Sequence, residues 1–166
     1  NLRENKMFKI TCADPLNPEI SSLIQQSHDF MQKLYCDEEN HSLSLSELCK
    51  SNIIFFCATK KNLHIGCAAL ALRDGYGEVK SLFVHPDHRN QGIGLGLINA
   101  LEQEARKHKL EVIYLETGAL LREAVSLYKK IGFMSCGPFG DYTDEATSLF
   151  FVKALNLDQK YNIINR

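Results

Sequence analysis

What this sequence lacks narrows its function before any motif is read. Lys and Arg number 19 against 20 Asp and Glu, a formal net charge of -1, and no dense Lys/Arg block breaks the balance. The bulk attraction that holds a protein on nucleic acid is therefore missing. The longest apolar runs are far too short to span a bilayer, and the N-terminal residues lack the charged-then-apolar pattern of a signal segment. No nucleic-acid or membrane partner is expected. The six cysteines (Cys12, Cys36, Cys49, Cys57, Cys67, Cys136) form no C-x-x-C pair and no zinc-like spacing, so no metal site is expected. Cys57 and Cys67 lie in apolar strand-like runs, as buried free thiols do. A reducing, cytoplasmic compartment is the expectation. Without an internal repeat, low-complexity tract or linker, the 166 residues suit one domain over 1–166, with its core over 6–155 and a tail over 156–166.

What is present is a succession of short elements. Residues 6–11 alternate and predict a first strand. Pro18-Glu19 opens a helix carried by Ile20, Leu23, Ile24, Phe30, Met31 and Leu34. The acidic cluster Asp37-Glu38-Glu39 that follows reads as a solvated loop. Ser44, with Glu47 three residues later, has capping-box spacing and predicts a short helix to Lys50. Residues 53–59, 64–73 and 77–84 read as three strands. Lys61-Asn62 and Asp74-Gly75 supply hairpin turns between them, giving an antiparallel meander. Over 92–109 the residues Ile93, Leu97, Ile98, Leu101 and Ala105 share one face of a helix. A strand over 112–116, a helix over 121–131 stopped by Gly132, and strands over 133–136 and 147–155 complete the chain. The order β-α-α-β-β-β-α-β-α-β-β is that of a mixed α/β domain.

One turn carries chemistry. Arg89-Asn90-Gln91-Gly92-Ile93-Gly94 joins a strand to a helix, and a helix start leaves backbone N–H groups unpaired beside partial positive charge. Such a turn suits a diphosphate, and glycine there lets phosphate oxygens approach the amides. The dinucleotide fingerprint needs glycine where Leu97 stands, and the G-K-S/T of a P-loop is absent. A G-x-G before a helix is explained as well by helix packing.

The neighbouring residues decide between these. Val84, Arg89 and the run N-Q-G-I-G resemble the acetyl-CoA motif of the GNAT superfamily, V-x-x-x-x-R/Q-x-x-G-x-G/A. Ala124-Val125-Ser126-Leu127-Tyr128 with Ile131-Gly132-Phe133 resembles its A-x-x-L-Y-x-x-x-G-F segment. Glu78-Val79-Lys80-Ser81-Leu82, Leu115-Glu116-Thr117-Gly118 and the stretch from Cys136 to Tyr142 resemble a bacterial branch of that superfamily. The resemblance implies a GNAT fold: a mixed, mostly antiparallel twisted sheet of about seven strands, splayed between the fourth and fifth, with about four flanking helices.

It also implies a reaction. An acetyl group passes from acetyl-CoA to a primary amine of a small metabolite or amino-acid-like acceptor, by direct attack in a ternary complex. The alternatives are a protein or peptide acceptor, or a non-catalytic acyl-CoA sensor. The coenzyme would lie along Leu82, Phe83 and Val84 and on Arg89, Asn90, Gln91, Gly92, Ile93, Gly94 and Leu95. Tyr128 is implied as the acid that protonates the leaving thiolate, and Glu78 or Glu116 as the base. A structural ion pair of Glu78 with Lys80 or an arginine is the competing reading. His41, Asp141 and Tyr142 would flank the acceptor. Superfamily members often pair through late strands or tails, which admits a homodimer. Leu121 stands where many members have Asn, so any coenzyme contact of that Asn is not carried over.

Overall fold

The computed structural model describes residues 8–156. Lys6 and Met7 of the expected first strand, and the expected tail beyond Asn156, lie outside them. One sheet of seven strands organises the described chain: β1 (Lys9–Cys12), β2 (Ile53–Lys60), β3 (Leu63–Leu72), β4 (Gly77–Val84), β5 (Val112–Gly118), β6 (Met134–Cys136) and β7 (Ser148–Ala154). Their spatial order is β1-β2-β3-β4-β5-β7-β6. All neighbours are antiparallel except β4 and β5.

Four helices cover the sheet: α1 (Pro18–Leu34), α2 (Leu45–Leu48), α3 (Ile93–Lys107) and α4 (Arg122–Lys130). Asn17 starts α1 by accepting the Glu19 and Ile20 amides on its side chain, which satisfies donors the helix cannot. Its Ile20, Leu23 and Ile24 recur on one face and pack with Phe55, Cys67 and Phe83 on one side of the sheet. On the other side Leu97, Ile98 and Leu101 of α3 pack with Leu70, Ile113 and Phe151. The capping box of Ser44 and Glu47 forms, although α2 is only four residues long. Lys61 and Asn62 both take positive φ, 47° and 67°, as a tight hairpin turn between β2 and β3 demands. Cys57 and Cys67 face each other in β2 and β3 as buried free thiols. Burial pushes the Cys57 thiol up to about 11. No helix among the described residues is long and apolar enough to cross a membrane.

The feature that positions the site is a bulge. The register of β3 on β4 shifts between Cys67 and Ala69, and opposite it Ser81 takes φ 55°. A bulge bends its strand and re-aims the side chains beyond it. Accordingly β4 pairs with β5 only at Gly77↔Ile113, Glu78↔Tyr114 and Val79↔Leu115. Past those three pairs β5 stays with β7 as far as Gly118, while β4 runs on to Val84 without β5. The sheet is splayed between its fourth and fifth strands, as expected.

Candidate active site

Two adjoining cavities fill the gap. The larger, about 670 Å³, lies between the end of β4, the start of α3 and α4. Of the expected coenzyme residues it is lined by Leu82, Phe83, Val84, Arg89, Asn90, Gly92, Ile93, Gly94 and Leu95. Gly92 precedes α3 with φ 80° and no side chain to cap the helix, a conformation that favours glycine. The first intrahelical bond runs from Gly96 N to the Gly92 carbonyl. The Ile93, Gly94 and Leu95 amides are therefore the orphan donors of the helix start, and they are available to an anion. His88 lines the same cavity, with its Nδ1 buried and without a hydrogen-bond partner.

Gln91 and Arg89 make protein contacts of their own. Gln91 does not line the cavity; its side chain accepts Lys60 Nζ at 2.9 Å. Arg89 is largely committed to the protein: Nε donates to the Val84 carbonyl at 3.1 Å, and the guanidinium lies 5.4 Å over the Phe30 ring and 3.6 Å from Glu123. That bond also occupies the Val84 carbonyl. Gly94 also lets α4 approach closely: a Cβ there would lie 2.8 Å from Leu127 Cδ2. Leu121 lines both cavities and precedes α4 without a side-chain cap.

The smaller cavity, about 90 Å³, shares Ser27, Met31, Leu82, Leu121 and Ala124 with the larger. Tyr128, Glu116, Lys80, Ser81, His41 and Glu39 are among its lining residues. Tyr128 is buried, and burial, aided by the Glu116 charge, holds its phenol well above the usual tyrosine range. Glu116 accepts Ser148 Oγ at 2.9 Å, and burial raises its carboxyl pKa although Ser148, His41 and Lys80 oppose the shift.

Glu78 is placed differently from the expectation of a base. It is 2% exposed and lines neither cavity. Arg73 Nε and Nη2 donate to its Oε1 at 3.1 and 2.7 Å, and the Tyr142 hydroxyl donates to its Oε2 at 2.8 Å. It sits in the stretch of β4 still paired with β5, before the fork opens. The competing ion-pair reading is the one the geometry gives, with Arg73 as partner. Asp141 is exposed and lines neither cavity, so it is not brought to the acceptor side. Tyr142 reaches that side indirectly, accepting Lys80 Nζ at 2.8 Å and meeting the His41 ring edge-on at 5.3 Å.

Residues 19–133 match the model of the Acetyltransferase (GNAT) family. The chain belongs to the GNAT family of N-acetyltransferases. An IAA acetyltransferase of Azospirillum brasilense is 40% identical over 85% of this chain and 94% of its own. An uncharacterized N-acetyltransferase of Bacillus subtilis, YsnE, is 31% identical over 82% of this chain and 93% of its own. The crystal structure of the PaiA N-acetyltransferase of Thermoplasma acidophilum in complex with coenzyme A superposes with a TM-score of 0.70. It covers 89% of this chain and 98% of that one at 18% identity, a likeness of fold.

Acetyl-CoA is the donor in this GNAT acetyltransferase, and the residues present fit it. The unpaired amides of Ile93, Gly94 and Leu95 suit its pyrophosphate, His88 lines the same cavity, and the unpaired edge of β4 suits its amide-bearing arm. Sequence reasoning passed over Tyr35, Lys80 and Ser81 as site residues. Tyr35 is buried beside Gly118, and its hydroxyl accepts the Leu120 amide at 2.8 Å, fixing the loop that leads into α4. An aromatic at a helix end was the only signal it offered.

Proposed function

We propose that this GNAT enzyme acetylates the primary amine of a small, amino-acid-like acceptor by direct attack, with both substrates bound in one domain. The observation that carries the reading is the pair of joined cavities, with Tyr128 and Glu116 both lining the smaller one. Acetyl-CoA supplies the acetyl group as a thioester. Glu116 takes one proton from the incoming ammonium, leaving a neutral amine to attack; its raised pKa suits a base working near neutral pH. Tyr128 gives its hydroxyl proton to the departing sulfur as the C–S bond breaks, and is restored by the second proton of the acylated nitrogen. One proton per turnover passes from Glu116 to solvent.

The small volume on the acceptor side and the 40% identical relative, named as an IAA acetyltransferase, support a small molecule over a protein. The test measures free-thiol release from acetyl-CoA against an amine and peptide panel, beside coenzyme binding by calorimetry. Turnover on small amines is expected. Coenzyme binding without turnover on any acceptor would favour a sensor, and absence of binding would remove the reading.

A further inference from the structure

The acceptor cavity contains two polar groups that the transfer chemistry leaves unused. Lys80 is 8% exposed, yet its ammonium meets only uncharged oxygens: the His41 carbonyl at 2.9 Å and the Tyr142 hydroxyl at 2.8 Å. The Tyr142 proton is already committed to Glu78, so towards Lys80 that hydroxyl is purely an acceptor. An ammonium has three N–H donors, and the third has no partner among the described residues. No carboxylate among them lies within ion-pair distance of Lys80 Nζ. Burial disfavours the Lys80 charge, while the Glu78 and Glu116 carboxylates, beyond ion-pair distance, support it; a bound anion would satisfy the donor left over.

The second group is the Ser81 hydroxyl, buried and without a hydrogen-bond partner. Successive residues of a regular strand point to opposite faces. The bulge at Ser81, with φ 55°, breaks that alternation, so Lys80 and Ser81 line one cavity. The bulge thus sets a residue with a spare ammonium donor and one with an orphaned hydroxyl next to each other in the lining of one cavity. Glu116 and Glu39 line the same space and supply the opposite sign.

We infer that the acceptor is a zwitterion of the α-amino-acid class, its carboxylate held by Lys80 Nζ and Ser81 Oγ and its amine presented at Glu116. This rests on the acetyl-transfer reading and defines its acceptor. A carboxylate takes the third Lys80 proton and the serine hydroxyl in charge-assisted bonds. A di- or polyamine would bring a second cation against Lys80.

The experiment compares matched pairs on the unaltered protein: each amino acid against its carboxamide and against the amine lacking the carboxylate, by thiol release. The expected kcat/KM is about 10²-fold higher for the acid, the size of a lost charge-assisted contact that leaves a buried partner unpaired. Lys80→Met should raise KM for the acids at least about 10-fold and leave the Kd of CoA unchanged. Ser81→Ala gives the same direction with a smaller effect, and tests the site if Lys80→Met does not fold. Equal or faster turnover of the carboxylate-free amines overturns the inference and leaves acetyl transfer standing. Thiol release with no pair overturns the acetyl-transfer reading and this inference with it.

Discussion

Tyr128 holds its hydroxyl where ionisation is disfavoured, because burial and the Glu116 charge both raise its pKa. A phenol kept protonated can donate to a thiolate but cannot act as a base. Tyr128→Phe should lower kcat by about 10²–10⁴-fold with CoA affinity retained, as read by single-turnover kinetics and calorimetry. As the proposed base, Glu116 would set the pH dependence. Burial raises its pKa, so the protonated, inactive form persists to a pH above the ordinary carboxylate range, and activity rises with pH through that value. The acidic limb of the rate–pH profile should disappear in Glu116→Gln and persist in Glu78→Gln, whose carboxylate is bound by Arg73 and Tyr142. Tyr128 was legible in the sequence because an A-x-x-L-Y pattern is local. The contacts of Lys80 were not, since its partners His41 and Tyr142 stand 39 and 62 residues away in sequence. The Arg73 partner of Glu78 was not legible either, because the sequence does not say which of Lys80 and the arginines folds against it.

At the scale of elements, periodicity and turn chemistry predicted nearly every helix and strand, because these are nearest-neighbour effects. The bulge escaped, since no residue type announces it: Ser81 adopts positive φ without being glycine. The end of β5 is held to α1 by a contact that a sequence does not display. A Cβ on Gly118 would fall 2.0 Å from the Tyr35 hydroxyl, and Tyr35 is itself buried, so the ring cannot swing aside freely. Gly118→Ala should displace Tyr35, break its bond to the Leu120 amide and destabilise the protein by about 2 kcal/mol. Chemical denaturation, with tyrosine fluorescence as the probe, measures it. A change below a few tenths of a kcal/mol would mean that Tyr35 does not secure this loop.

At the scale of the molecule, the sheet is two parts: β1 to β4 on one side of the fork, β5 to β7 on the other. Three residue pairs join them. A ligand that fills the fork binds the folded state alone, so it should stabilise it by about 2.7 kcal/mol at a hundred-fold excess over Kd. For a domain of this size that corresponds to a rise in Tm of about 5–10 °C, read by thermal shift with CoA. An unchanged Tm across a CoA titration would mean that the folded protein does not bind it.

The shared wall of the two cavities has a kinetic consequence. Ser27, Met31, Leu82, Leu121 and Ala124 border both spaces, so a coenzyme arm laid along them would close one side of the small cavity. The enzyme should therefore follow a compulsory order, donor first and acceptor second, with CoA the last product to leave. In steady-state kinetics CoA should inhibit competitively against acetyl-CoA and non-competitively against the amine. The acceptor alone should give no heat of binding until CoA is added.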